Sequence, residues 1–402
     1  MAVAVQEAES ETVLQVTDLK THFLTARGRV RAVDGVSVSL NRGTTLGIVG
    51  ESGSGKTIFS RSVMNLLPKE NVRRSGSVMF MGRELMDLDD KEMRRLCGAD
   101  IAMVFQDPMS SLNPVMTIGK QITESLRLHL GMGRSEAHVT AVTLLRSVNI
   151  PEPDRRFAEY PHQLSGGMRQ RVMIALALAC GPRLLFADEP TTALDVTVQA
   201  DILNLLQDQQ RDRFMAMVLV THDLGVVAGR TDEIAVMYAG RIVEHASTSV
   251  LFSSMRHPYT EALLRSIPKI ENPSHTRLRV ITGRPPDLLN PPPGCPFAPR
   301  CPYVGDECRT TMPPLETVDG GHRFACYHPL GSPQNAEWLE RNLAAGLPQA
   351  VALLDSEKGQ HVELSALLAA ETVKERTDGW SEDGAAVAGE DESARHAAAL
   401  DE

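Results

Sequence analysis

The 402-residue sequence predicts an α/β fold, and three observations carry that prediction. First, an apolar stretch at 44–49 runs into a glycine-rich loop, Gly50, Glu51, Ser52, Gly53, Ser54, Gly55, Lys56 and Thr57, and then into a helical stretch at 58–67. Second, 183–188 is a nearly continuous apolar run that ends in Asp188, as strands buried on both faces do. Third, strand-like and helix-like stretches alternate along 13–266, the pattern of a parallel sheet with crossover helices.

Taken in order, 13–19 and 30–40 alternate apolar and polar residues and read as strands ahead of the loop. Further strands are expected at 77–80 and 101–106, separated by a short polar helix at 91–96. From 111 to about 163 the apolar spacing becomes three and four residues, with helices at 118–130 and 136–148, the second ended by Pro151 and Pro153. Leu164, Ser165, Gly166 and Gly167 open another helix at 168–180. A helix at 196–211 and a strand at 215–221 precede His222 and Asp223. The stretches 234–238 and 241–244 read as a hairpin about Ala239-Gly240, and 250–266 as helix interrupted at His257-Pro258. Beyond Pro285 the composition shifts to Pro and Cys, and beyond Gly331 to Ala, Glu and Asp; 379–402 has few large apolar residues and reads as disordered. A helix at 343–368 is a further expectation.

The loop fits G-x-x-x-x-G-K-[ST] at every fixed position. Glycines let the backbone curl so that successive N–H groups face phosphate oxygens where a side chain would block approach. Lys56 reaches the terminal phosphates, the Thr57 hydroxyl ligates Mg²⁺, and Ile58 opens a helix whose N-terminus faces the anion. Asp188 and Glu189 stand where a buried strand emerges: Asp188 suits Mg²⁺ beside Thr57, and Glu189 suits the polarising of a water. Ser165, Gly166 and Gly167 present a hydroxyl and bare N–H groups to an anion, or simply cap a helix.

Composition narrows the class. Hydrophobic content of 42% and charged content of 23% are those of a globular protein. No apolar run reaches the ~20 residues of a membrane span, and 1–12 lacks a basic-then-apolar leader pattern. Net charge is −10; from Asp355 onward 13 acidic and 4 basic residues give 4 − 13 = −9, so the body is near neutral and offers no footprint for nucleic acid. Cys97 and Cys180 read as isolated buried thiols.

Gly50 to Thr57, Gln106, Leu164 to Met168, Leu185 to Glu189, Ala193-Leu194-Asp195 and His222 follow one another in the order and spacing of the ABC family of ATPases, and 13–268 resembles that domain. The resemblance implies an ABC-type ATPase core with a mixed sheet and a helical subdomain at about 111–180. It implies a head-to-tail dimer, ATP lying between one chain's 50–57 and the other's Ser165, Gly166 and Gly167. Gln106 would touch Mg²⁺ and the water, His222 the γ-phosphate, and Asp195 the dimer seam. Phe23 falls where the family stacks an aromatic on adenine, although 24–31 reads as a longer loop than usual. Met168 replaces the family's common glutamine.

The tail is similar to that of oligopeptide/dipeptide importer ATPase subunits, through His257-Pro258-Tyr259-Thr260, 283–295, Pro299-Arg300-Cys301-Pro302 and Ala325 to Pro329. Within this segment, taken as 269–330 and followed by an Ala/Glu-rich extension at 331–402, lie Cys295, Cys301, Cys308 and Cys326 in a C-x5-C-x6-C-x17-C spacing. No C-x2-C zinc knuckle is present. The resemblance implies a [4Fe–4S] cluster on these four; zinc and free packing thiols are the alternatives.

The expected function is therefore the ATPase subunit of a peptide importer at the cytoplasmic face of a membrane. Its expected partners are a homologous second ATPase, two transmembrane permease subunits and, indirectly, a substrate-binding protein. The same machinery serves nickel or glutathione importers, and a non-transport ABC ATPase is the other class.

Overall fold

The computed structural model describes residues 11–192, 194–267 and 281–357. Two fourteen-residue strands, β1 (Thr12–Thr25) and β2 (Gly28–Asn41), come first, then β3 (Thr45–Val49) and helix α1 (Lys56–Val63). They are followed by β4 (Val72–Phe80), β5 (Arg83–Glu84), α2 (Asp90–Leu96) and β6 (Ile101–Val104). A helical stretch intervenes: α3 (Pro108–Ser111), α4 (Ile118–Leu130), α5 (Arg134–Ser147), α6 (Pro153–Phe157) and α7 (Gly166–Leu178). Alternation resumes with β7 (Leu184–Asp188), α8 (Val196–Arg213), β8 (Ala216–Thr221), α9 (Leu224–Val227), β9 (Glu233–Tyr238) and β10 (Arg241–Ser247). Last come α10 (Thr248–Ser254), α11 (Pro258–Arg265), α12 (Glu307–Thr310), β11 (Glu316–Thr317), β12 (Arg323–Phe324), α13 (Pro333–Ala344) and α14 (Pro348–Glu357).

Two sheets result. One is antiparallel, in the order β2-β1-β4-β5; the other runs β11-β12-β10-β9-β3-β8-β7-β6. In the second, β9, β3, β8, β7 and β6 are parallel, while β10, β12 and β11 join antiparallel at one edge. The mixed sheet expected from the sequence is present. Its parallel strands are apolar on both faces because both are covered. Along β7, Leu185 and Ala187 join a cluster with the helices, while Leu184 and Phe186 join the cluster shared with the first sheet and α1. Such fully buried side chains contribute roughly 1.5–3 kcal/mol each.

Several expectations need correction. The stretch 24–31 is no extended loop: β1 and β2 pair down to Thr25 opposite Gly28, so the turn is short. The helix after the glycine loop starts at Lys56 and stops at Val63, shorter and earlier than 58–67. Cys97 and Cys180 are partly exposed rather than buried; Cys180 lies just beyond the end of α7, beside Gly181 with its left-handed φ of 68°. The helix expected at 343–368 is broken at Ala345-Gly346-Leu347 into α13 and α14, and its part beyond residue 357 lies outside the described residues. So do 1–10, the stretch 268–280 and the acidic end of the chain. Among the described residues no helix is long and apolar enough to cross a membrane.

Candidate active site

The glycine loop joins the C-terminal end of β3 to the N-terminus of α1. Gly55 caps α1 with φ 107°, and Gly53 has φ 80°, conformations open to glycine and costly for other residues. The loop is seated by its neighbours: Gly240 N donates to the Ser54 carbonyl at 2.9 Å, and Glu51 N donates to Tyr259 Oη at 2.7 Å.

Lys56 is buried and curls back into its own loop, Nζ donating to the carbonyls of Gly50 (2.7 Å) and Glu51 (3.1 Å) with Glu189 Oε1 at 3.7 Å. Burial holds its pKa below the ordinary lysine value, and the carboxylates of Glu189 and Asp188 oppose that shift. Thr57 Oγ1 donates to Asp188 Oδ1 at 3.0 Å. Asp188 is almost wholly buried, its pKa is raised chiefly by desolvation, and its Oδ2 has no hydrogen-bond partner. A buried carboxylate oxygen without a partner beside a hydroxyl is the donor pair that a hard cation uses. Thr57 and Asp188 thus fit Mg²⁺.

Glu189 is the hub of the second half of the site. Its Oε2 lies 3.3 Å from His222 Nδ1 and accepts from Gln106 Nε2 at 3.2 Å and Thr192 Oγ1 at 3.1 Å. The hydrogen bond with His222 does most to hold its carboxyl below the ordinary glutamate value, and Glu189 in turn raises the His222 imidazole. Its backbone is left-handed, φ 45°, a conformation that costs a non-glycine residue of order 1–3 kcal/mol and concentrates at functional sites. Each residue reaches this point from a strand end: Gln106 after β6, Asp188 and Glu189 at the end of β7, and His222 after β8. The carboxyl ends of parallel strands are where ligands bind in open α/β sheets.

The other predicted residues stand elsewhere. Ser165 is the N-cap of α7, its hydroxyl accepting from Met168 N at 3.4 Å; Gly166 and Gly167 form the first turn. Asp195 caps α8, accepting from Val198 N at 2.9 Å. These two caps are neighbours, since a Cβ on Gly167 would come within 3.0 Å of Val198 Cγ1. Among the described residues no hydrogen bond or ion pair joins Ser165, Gly166, Gly167 or Asp195 to Lys56, Asp188 or Glu189. Phe23 is half-buried on β1, opposite Val30 and Val72. Ile58 lies in the first turn of α1.

Cys295, Cys301, Cys308 and Cys326 are free thiols that line one cavity with Phe297 and Tyr303. Burial pushes all four up, Cys295 to about 11, and neighbouring thiols add to the effect on Cys301 and Cys326. Among the described residues no three His, Cys, Asp or Glu side chains converge where one metal ion could sit.

Sequence reasoning met Arg300 only as part of the importer-like tail and missed its contact with the glycine loop. It lies between Cys295 and Cys301, and its buried guanidinium holds both carboxylate oxygens of Glu51 at 2.5 and 2.9 Å. The partners are 249 residues apart, and no local pattern marks the pair.

Known proteins resemble this chain over most of its length. A model described as ABC transporter matches 33–192, and one described as oligopeptide/dipeptide transporter, C-terminal region, matches 243–308. A probable peptide ABC transporter ATP-binding protein of Sinorhizobium fredii is 49% identical over 320 residues, 79% of this chain and 96% of that protein. The oligopeptide transport ATP-binding protein of Salmonella typhimurium is 48% identical over 321 residues, 80% of this chain and 95% of that one. The dipeptide transport ATP-binding protein of Bacillus subtilis is 48% identical over 318 residues, 79% and 95% of the two chains. A solved dimeric bacterial ABC transporter cassette superposes with a TM-score of 0.53 at 28% identity, over 58% of this chain and 98% of that one. The chain belongs to the ABC transporter ATP-binding proteins, in the branch that bears the oligopeptide/dipeptide transporter C-terminal region.

Proposed function

We propose that this chain hydrolyses ATP to drive the import of di- or oligopeptides through two membrane permease subunits. The observation that carries this reading is the joining, in one chain, of the Lys56–Thr57–Asp188–Glu189–His222–Gln106 constellation to the peptide-transporter C-terminal region. In it, 13–268 is the ATPase domain with 111–180 as helical subdomain, 269–330 the Cys-rich segment and 331–402 an extension. The chain sits peripherally at the cytoplasmic face of the membrane and pairs with a homologous ATPase; a substrate-binding protein selects the peptide on the far side.

The chemistry follows from the groups present. ATP lies against the loop from Gly50 to Ile58 and takes the N–H groups that face it, Glu51 N staying on Tyr259 Oη, while Lys56 exchanges two backbone carbonyls for phosphate oxygens. Thr57 and Asp188, with Gln106, would hold Mg²⁺, which would supply charge neutralisation for the phosphates. Glu189 orients and deprotonates the attacking water, an effect worth about 10²–10⁴ in rate. Gln106 and His222, which share one Glu189 oxygen, face the water and the γ-phosphate of ATP in this reading. Phe23 stacks on adenine. Ser165, Gly166 and Gly167 complete the site of the partner ATPase, with Asp195 at the seam; that the described residues show no hydrogen bond or ion pair from them to Lys56 supports that division of labour.

The four cysteines hold a [4Fe–4S] cluster in this reading, with a structural role. Their shared cavity and unpaired thiols support it. Purification without oxygen, followed by iron and acid-labile sulfide analysis, tests it; a chain free of both contradicts it. The transport reading is tested by uptake of a labelled tripeptide in a strain deleted for this gene. Restoration by the wild-type chain but not by Lys56→Ala is expected, and equal restoration by both contradicts it.

A further inference from the structure

We propose that Arg300 is a positioning residue for the ATP site, through which the Cys-rich segment sets the affinity of the glycine loop for ATP phosphates. The inference rests on the reading of Gly50 to Thr57 as that phosphate site.

Glu51 is a carboxylate inside a loop built to receive anions. Left free, it would oppose phosphate by like charge and would compete for the loop's own donors. Two constraints remove it. Its backbone N donates to Tyr259 Oη, and its carboxylate is clamped bidentately by Arg300, the strongest and most directional geometry open to an acid–base pair.

The clamp is itself immobilised. Nε of Arg300 donates to the Thr282 carbonyl at 3.0 Å, Nη2 to the Ile281 carbonyl at 3.1 Å and Nη1 to Tyr238 Oη at 3.2 Å. The guanidinium lies 5.9 Å from the Tyr238 ring centre and 6.0 Å from that of Phe297. Its side chain is 2% exposed, against 25% for Glu51. Arg300 also ends the short 3-10 turn Ala298–Arg300, directly before Cys301 of the four-cysteine cavity, whose wall includes Phe297. Whatever fixes Cys295 and Cys301 therefore fixes the clamp between them. Among the described residues the rest of the Cys-rich segment has no charge pair to the loop other than this one.

The test is ATP binding by the full-length chain carrying Glu189→Gln, measured by calorimetry with Mg²⁺ present. Arg300→Gln is expected to raise the Kd about tenfold, which corresponds to about 1.4 kcal/mol. Adding Glu51→Gln removes the freed charge and is expected to return the Kd to within about threefold of the parent. Loss of packing alone would leave the second substitution without benefit, so the rescue separates positioning from a merely structural role. Cys301→Ser is expected to weaken ATP binding in the parent and to add nothing in the Arg300→Gln, Glu51→Gln chain. An unchanged Kd in Arg300→Gln, a double variant no better than the single, or a Cys301→Ser effect that persists in the double overturns the inference. If Arg300→Gln does not fold, Arg300→Lys takes its place, with an expected rise of about threefold that Glu51→Gln again reverses; absence of either change overturns the inference equally. Lys56→Ala separates the two layers. A parent that binds ATP, loses it on Lys56→Ala and ignores Arg300 overturns the inference alone; a parent whose ATP binding survives Lys56→Ala overturns the phosphate-site reading and the inference with it.

Discussion

Three glycines of the phosphate loop separate two physical reasons for glycine, and alanine at each position gives a ranked outcome. At Gly53 the backbone is left-handed, φ 80°, but a Cβ would meet nothing within 4 Å. The cost of Gly53→Ala is conformational, about 1–2 kcal/mol. At Gly50 the backbone is ordinary, but a Cβ would lie 2.1 Å from the Met237 carbonyl oxygen. Relief requires β9 and the loop to part by about 1 Å, an overpacking cost of about 1–3 kcal/mol. Gly55 carries both penalties, with φ 107° and a Cβ 2.2 Å from the Ala32 carbonyl oxygen, so about 2–5 kcal/mol is expected. Because the nearest obstacles are backbone atoms of β2 and of the end of β9, moving the Ser54 or Met237 side chain, also in reach, brings no relief. Thermal unfolding of the three full-length variants, with ATP binding on the same samples, should give Gly53→Ala the smallest loss and Gly55→Ala the largest. Gly55→Ala as stable as Gly53→Ala would refute the reasoning.

Two further outcomes concern protonation. Glu189 raises the His222 pKa through a direct contact, so Glu189→Gln is expected to bring the His222 NMR titration down toward the ordinary value; an unmoved midpoint would show the pair is not formed in solution. The sign follows: the raised histidine contributes below pH 6.5 and loses its contribution as pH rises through its folded value, while the lowered glutamate contributes above pH 4.5 and loses it on acidification. His257 is the opposite case, a fully buried imidazole that desolvation lowers to about 4 against the pull of Glu244. Its contribution is complete above pH 6.5 and falls away as pH drops toward 4, by about 3 kcal/mol. His257→Asn, which keeps a capping side chain for α11, should flatten the stability profile between those limits; an unchanged slope would locate the acid sensitivity elsewhere.

What the sequence disclosed was local. Gly50 to Thr57, Asp188 with Glu189, Gln106 and His222 each follow an apolar strand, and the sheet gathers strand ends at one edge, so motif and place were readable together. The turn at Ala239-Gly240 and the break at His257-Pro258 were legible for the same reason, since φ 48° and 81° and a proline at the first helical position are chain-local demands. The hairpin turn between Thr25 and Gly28 was not, because polar, arginine-rich strand ends look like loop until β1 is seen pairing with β2 and β4. Nor were β11 and β12, two residues each, which exist only because β12 pairs with β10 and β11 with β12. The link from Arg300 to Glu51 spans 249 residues and depends on where the chain returns, which residue spacing does not encode.

The central claim is that Glu189 is the base of an ATPase whose loop binds ATP without it. Phosphate release and ATP affinity, measured together on the membrane complex assembled with wild-type or Glu189→Gln chains, test this most directly. Glu189→Gln is expected to leave affinity within about threefold while turnover falls at least about 100-fold. Turnover retained in that variant, or lost only because ATP no longer binds, would contradict it.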